Sequence, residues 1–251
     1  MTARTGDQDG HDVGDGIAVS VVLPVFNEQA AIEGVVRDVV EVTRDLAPGR
    51  SEVVVVDDGS VDATRAIVDR LAGELPEVRV IHQANAGHGP ALLAGFDQAR
   101  GRWIAHLDTD DQIPAKELIG LWAERGDAAL VLGIRTDRDD PRHRLVLSAV
   151  VRRLVGLVAG RPLRDANVPC KLVRRDLWRE VRPLLPDDTF APSIALAVAA
   201  ARWGRPIRQV SVLHRARSSG ASSLRPVRLA RAVARAGLQT ARLAAQLHRP
   251  R

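Results

Sequence analysis

The sequence predicts one α/β domain on a mostly parallel β-sheet with helices on both faces, followed by a basic amphipathic helix. Three observations predict it. Apolar runs of strand length alternate with longer stretches whose apolar residues recur at helical spacing. A hydrophobic content of 45% in 251 residues is enough to bury a full core. Polar clusters directly follow three of the apolar runs, as expected where parallel strands end in a common crevice.

Residues 1–16, "MTARTGDQDGHDVGDG", are rich in Gly and Asp and read as a disordered tail. The domain proper then runs from 17 to 224. "IAVSVVLPVF" reads as a buried strand, "EQAAIEGVVRDVVEVTRDL" as an amphipathic helix and "SEVVVVDDGS" as a second buried strand ending in a polar turn. The helix "DATRAIVDRLAGEL", the strand "VRVIHQ", a glycine-containing turn into "PALLAGFDQAR" and the strand "RWIAHLD" continue the alternation. Strands that alternate with helices in this way form a mostly parallel sheet. Beyond residue 125 the reading is a strand "AALVLGIR", a basic helix in "HRLVLSAVVRRLVGLVAG" and a loop "RDANVPCKLVRRDLW". A helix "APSIALAVAARWG", a strand "IRQVSVLHRAR" and a terminal helix over 225–251 complete it.

Composition narrows the function classes. The single cysteine, Cys170, excludes an internal disulfide and a Cys-only zinc site. The first residues lack the apolar core of a secretory signal, and no apolar segment reaches bilayer length, so a cytoplasmic chain without a transmembrane helix is expected. Net charge is +5, but no acid follows Asp188, while the last 63 residues hold twelve arginines. A basic carboxy-terminal part behind an acidic body suits a phosphate-rich or anionic-membrane partner. Nucleic acid is not expected, because aromatics are only 3% and no binding motif appears. In the terminal segment Arg228, Arg231, Arg235 and Arg242 fall in one helical stripe, opposite Leu229, Val233, Leu243 and Leu247. Such a helix either lies in an anionic membrane interface or docks its leucine face on the body.

The candidate chemistry sits in three clusters: "PVFNE" at 24–28, "DDGS" at 57–60 and "DTDDQ" at 108–112. On an extended chain Asp108, Asp110 and Gln112 face one way and Thr109 and Asp111 the other, so three oxygen ligands converge. Mg2+ or Mn2+ takes such ligands and bridges them to substrate phosphates. A solvated acidic turn capping the helix in "PAKELIGLWAERG" explains an isolated Asp-x-Asp equally well, with Asp111 as the capping or orienting residue. Neither Gly-x-Gly-x-x-Gly nor Gly-Lys-Ser/Thr occurs, so dinucleotide-binding and P-loop folds are not supported.

"VVLPVFNE", "VVVVDDGSVDAT", "NAGHGPALLAGFDQARG" and "HLDTDDQ", in this order and spacing, resemble family 2 glycosyltransferases of GT-A fold. Within that family the likeness is to dolichyl-phosphate mannosyltransferase and related polyprenyl-phosphate sugar transferases. The resemblance covers about residues 17 to 224. It implies that Pro24, Phe26, Asn27 and Glu28 border the nucleoside and that Asp57 or Asp58 bonds the base or ribose. It further implies that Asp108, Asp110 and Gln112 bind the metal, with Thr109 beside the nucleotide in the same motif. "LGIRTDRDDPRHRLVLSAVVRRLVG" points to Arg135, Arg144 and Ser148 as acceptor-phosphate contacts, and "HRARSSGASSL" to Arg217, with Gly220 and Ser222, as a phosphate clamp. His214 is a further candidate near the metal.

An attacking hydroxyl needs a general base, whereas an acceptor phosphate is already an anion at neutral pH. The helix "FAPSIALAVAARWG" has Ser193 where family members acting on hydroxyls carry an acid, and Asp187 and Asp188 are the only substitutes. The expectation is therefore a metal-dependent, inverting transfer of a mannose- or glucose-like hexose from a GDP- or UDP-linked donor to polyprenyl phosphate, with peripheral contact at the inner face of the cell membrane. A soluble acceptor hydroxyl on the same fold and a catalytically silent scaffold are the rival readings.

Overall fold

A computed structural model describes residues 16–136, 152–215 and 226–247. Seven strands form one sheet: β1 (Val19–Val25), β2 (Ser51–Asp57), β3 (Val78–His82), β4 (Trp103–Leu107), β5 (Leu130–Thr136), β6 (Cys170–Arg174) and β7 (Ile207–Leu213). Their order is β3-β2-β1-β4-β6-β5-β7. All neighbouring pairs are parallel except those made by β6, which runs antiparallel between β4 and β5. The sheet is thus mostly parallel, with one reversed strand in its interior.

Alternation along the strands sorts the core into two layers. Val19, Val21, Leu23 and Val25 of β1 pack with Val53 and Val55 of β2 under α1 (Ile32–Leu46) and α4 (Glu117–Ala123). Val22, Val54, Val56 and Ile104 point to the other face. There they meet α3 (His88–Gln98), α6 (Arg175–Val181) and α7 (Pro192–Arg202). Each fully buried Val or Leu contributes about 1.5–3 kcal/mol over an exposed one, so this two-sided burial holds the strands in register. α2 (Thr64–Glu74) joins β2 to β3, and α5 (152–159) precedes β6.

Two readings of the sequence need correction. The stretch "RDANVPCKLVRRDLW", read as a loop, contains β6 and the start of α6. The lysine and arginines break the apolar run, yet Cys170, Leu172 and Val173 are buried and pair along both neighbouring strands. The "DTDDQ" cluster, read as extended chain, lies beyond the end of β4 and turns, with Asp111 at φ 54°. Asp111 does not cap α4 either: the residue preceding that helix is Lys116, and no side chain caps it.

The terminal helix α8 (Pro226–Leu247) exists and docks on the body. Thr240, Leu243 and Ala244 are buried, Leu247 packs on the core, and Arg235 pairs with Asp188 at 2.6 Å. Gln239 accepts a hydrogen bond from the Phe190 amide at 2.8 Å. Of the two alternatives for its leucine face, docking describes the Leu243–Leu247 portion. Among the described residues no helix is long and apolar enough to cross a membrane.

Candidate active site

The chain reverses direction across the sheet at β1, whose neighbours are β2 and β4. Ligands of α/β sheets bind where the strand order reverses, outside the carboxyl ends of the strands. The "PVFNE", "DDGS" and "DTDDQ" clusters follow β1, β2 and β4 at that crevice.

The first two clusters brace one another. Asn27, at φ 55°, donates its amide N–H to the Ser60 hydroxyl at 3.0 Å and accepts the Val61 amide on its side-chain oxygen at 2.8 Å. The Glu28 amide donates to the Thr64 hydroxyl at 2.9 Å. Pro24 is reached by the third cluster: its carbonyl accepts the hydroxyl of buried Thr109 at 3.4 Å. Phe26 is left exposed at the crevice, 45% accessible.

Asp57 and Asp58 are buried and bonded within the chain. Asp57 accepts the Ser60 amide at 3.0 Å and pairs with His82 Nδ1 at 2.9 Å. Burial raises its pKa, but the bonds from Ser60 and His82 outweigh this and hold the carboxyl below its usual range. Asp58 takes three donors: the Gln83 side chain at 2.7 Å and the Ala86 and Gly87 amides at 2.8 Å each. Those bonds fix the turn into α3. Gly87 adopts φ 97°, and a Cβ on Gly89 would lie 2.1 Å from the Thr189 carbonyl oxygen, so the start of α3 is seated tightly.

The seat matters because it delivers His88 to the third cluster. His88 Nε2 lies 3.9 Å from Asp108 Oδ1, and His106 Nε2 lies 3.0 Å from the same oxygen. His106 is 1% exposed, and burial pushes its pKa down to about 4, against the pull of Asp108. It is therefore a neutral imidazole at pH 7 whose Nε2–H donates to Asp108. Burial would raise the Asp108 pKa, but the field of His88 and the His106 hydrogen bond prevail and hold it down at about 2. The result is a partly exposed, fully ionised carboxylate in a fixed orientation. Asp110 accepts the Gln112 amide at 3.2 Å, and the Gln112 carbonyl accepts the Arg215 amide at 2.8 Å. That last bond brings the chain leading to Arg217 beside the cluster. Arg217, Gly220, Ser222, Arg144 and Ser148 themselves lie outside the described residues.

Lys171 of β6 stands opposite His106 in the ladder and is fully buried, with no hydrogen-bond partner for Nζ among the described residues. Burial pushes its pKa down to about 7. Cys170 next to it is raised to about 12 by burial and is inert as a nucleophile at neutral pH. Ser193 is buried, while Asp187 and Asp188 are paired with Arg182 and Arg235.

Arg135, at the end of β5, makes a bidentate pair with Asp165 at 2.7 and 2.9 Å. The pair lines a cavity of about 900 Å³ together with Arg152, Arg153, Arg161 and Arg164. Because β4 and β5 both run antiparallel to β6, Arg135 at the end of β5 lies on the same edge of the sheet as Asp108.

His88, His106 and Lys171 are additions to the residues picked out by sequence. His106 was open to inference, since positions i and i+2 of a strand share a face and it precedes Asp108 by two. His88 lies twenty positions earlier and only the Asp58-held turn brings it in. The chemistry of the set, an ionised carboxylate with further oxygen and imidazole donors close by, fits a divalent metal: ligand atoms of His88, His106 and Asp108 all lie within 4.8 Å of one another.

Comparisons with known proteins bear on the family and the fold. The model of glycosyl transferase family 2 matches residues 20–182. Dodecaprenyl-phosphate galacturonate synthase of Rhizobium johnstonii is 32% identical over 218 residues, covering 84% of this chain and 63% of that protein. Undecaprenyl-phosphate 4-deoxy-4-formamido-L-arabinose transferase of Pseudomonas fluorescens is 31% identical over 214 residues, covering 84% and 61%. The chain thus spans somewhat under two thirds of these relatives. Among solved structures, glucosyl-3-phosphoglycerate synthase from Mycobacterium tuberculosis, in complex with Mn2+, UDP-glucose and phosphoglyceric acid, superposes with a TM-score of 0.62. Its identity is 20%, and 90% of this chain and 80% of that one are covered. At that identity the likeness speaks for the fold, which is GT-A.

Proposed function

Since this chain belongs to glycosyl transferase family 2, we propose that it transfers a hexose from a nucleoside diphosphate sugar to polyprenyl phosphate. The observation that carries the proposal is the arginine-lined cavity on the same sheet edge as Asp108. An acceptor that ends in a phosphate and continues as a lipid needs cationic groups beside the reacting centre and an apolar surface next to them. Arg152, Arg153 and Arg161 supply the first, and Leu154 and Leu157 of α5, 54% and 76% exposed, supply the second. The two sequence relatives, named for polyprenyl-phosphate acceptors, support the same class.

In this reading Asp108, Asp110 and Gln112 hold Mg2+ or Mn2+, whose role when bound is to neutralise the diphosphate leaving group. The other roles fall to the chain itself. Phe26 offers an exposed ring to the nucleoside, beside Pro24, Asn27 and Glu28. Asp57 and Asp58 act by fixing the turns around it, with Thr109 tying the third cluster to β1. Arg135, Arg144, Ser148 and Arg217 are the proposed phosphate contacts, with Asp165 holding the Arg135 guanidinium in place. The acceptor phosphate attacks the anomeric carbon as an anion, so no general base is needed, consistent with a buried Ser193 and ion-paired Asp187 and Asp188. One displacement of this kind inverts the anomeric configuration. The domain of residues 17–224 carries the reaction, and the molecule works at the inner face of the cell membrane through peripheral contact.

The test is transfer of radiolabelled sugar from GDP- and UDP-linked donors to polyprenyl phosphate. A butanol-extractable, mild-acid-labile product, absent with Asp108→Asn although circular dichroism shows that variant folded, is expected. Label appearing only in water-soluble products would refute the lipid acceptor.

A further inference from the structure

The Asp-x-Asp cluster offers oxygen ligands, and the imidazole of His88 stands beside them. Three features place it. Asp58 spends two of its hydrogen bonds on the Ala86 and Gly87 amides, the residues immediately before His88. Gly89, immediately after, is wedged against the Thr189 and Phe190 carbonyls and fixes the helix start from the other side. Between these two anchors the His88 side chain remains 53% exposed and turns its Nε2 to within 3.9 Å of Asp108 Oδ1. At 3.9 Å the His88–Asp108 approach is too long for a hydrogen bond, and the His88 ring lies tilted beside that of His106, with centroids 5.6 Å apart. The approach to Asp108 is, however, within the separation of two ligands on one ion, which with bonds of about 2.0–2.2 Å fall about 3–4 Å apart.

The second imidazole has a different task. His106 Nε2 already donates to Asp108 at 3.0 Å, and its Nδ1 is buried without a partner among the described residues. Were Nε2 to bind a metal instead, the proton would have to sit on Nδ1, leaving a buried N–H unsatisfied at about 1–3 kcal/mol. His106 is therefore a positioning residue for the Asp108 carboxylate, and His88 is the imidazole free to coordinate.

We propose that His88 is a direct ligand of the dication held by Asp108, and that it makes the site select Mn2+ or Co2+ over Mg2+. This inference rests on the reading that Asp108 and Asp110 bind a metal. Its chemistry is simple. Mg2+ is hard, prefers oxygen and gives up water reluctantly, whereas imidazole suits the later first-row dications. An all-oxygen cluster discriminates weakly among these ions. One nitrogen in the shell tilts the order.

The experiment uses the full chain without nucleotide, titrated with Mn2+, Co2+ or Mg2+ in a calorimeter and followed by pulsed EPR of bound Mn2+. Wild type, His88→Ala, His106→Gln and Asp110→Asn are compared, with circular dichroism as the check on folding. The expected result is nitrogen hyperfine modulation in wild type and His106→Gln that vanishes in His88→Ala. Mn2+ affinity falls about tenfold or more in that variant and Mg2+ affinity changes by less than about threefold. Mn2+ binding that is weakened by Asp110→Asn but indifferent to His88→Ala would overturn the role of His88 and leave the metal reading standing. Nitrogen modulation lost in His106→Gln instead would assign the ligand to His106 and overturn the proposal. No Mn2+ binding by wild type would overturn it together with the metal reading.

Discussion

Lys171 is the residue whose energetics are most exposed to test. A fully buried ammonium without a hydrogen bond is costly, and its pKa near 7 records that cost. The folded-state pKa lies below the ordinary value of 10.5, so the unfolded chain binds the proton more readily. Stability is therefore highest above pH 10.5 as far as this group is concerned, falls as pH drops toward 7, and stays low below it. By linkage the loss is on the order of 5 kcal/mol. Lys171→Met should accordingly raise the melting temperature at pH 6, with the gain shrinking as pH approaches 10. A melting temperature that drops in the variant at pH 6 would mean that the ammonium is compensated in the folded chain. Lys171 shares its sheet face with His106, one strand away from Asp108, and transfer assays on the same variant show whether the strain serves the site.

Among the elements, α8 shows how an amphipathic pattern is resolved by packing. Its charge pattern is equally compatible with a membrane surface or a protein groove, because both present an apolar face beside a polar one. The outcome is decided by α7, a helix buried almost all round, which offers an apolar surface that α8 packs against. Leu243→Ala should destabilise the chain by about 2–4 kcal/mol, whereas Leu238→Ala, at a position 54% exposed, should stay within about 0.5 kcal/mol. Chemical denaturation measures both; equal, small effects would mean that α8 is not docked. The same contrast explains what was legible in sequence. β1, β2, β4 and their helices follow from local periodicity, and the ends of those strands pointed to the crevice. β6 was not legible, since its burial depends on β4 and β5 flanking it, and no residue within "CKLVRR" encodes that pairing. Asp108 was legible because its strand ends there, but its partner His88 is supplied by a turn that a buried carboxylate fifty positions from it holds in place.

At the scale of the whole molecule, topology gathers the candidate site at one edge of the sheet. β1, β2, β4 and β5 all direct their carboxyl ends there, so Asp108, the clusters around it and the arginine cavity face one side. Under the proposed transfer to polyprenyl phosphate, the acceptor phosphate comes to this edge and the membrane follows it. α8 turns Leu243 and Leu247 to the body, whereas α5 presents exposed leucines beside arginines among the described residues. Val155 and Ala159 of α5 are buried, whereas Leu154 and Leu157 project outward beside Arg152 and Arg153, a combination that solvent alone does not favour. Each arginine near an anionic surface contributes about 1 kcal/mol, screened beyond a Debye length of about 10 Å at 0.1 M salt. Full-length protein should therefore sediment with liposomes containing anionic lipid at low salt and be released as salt rises. Leu157→Asp should weaken that binding several-fold without lowering the melting temperature, since the side chain is 76% exposed. If Leu157→Asp and a joint Arg152→Gln, Arg153→Gln variant both sediment like wild type, the membrane is not met at α5, and the acceptor has to reach the arginine cavity from another side.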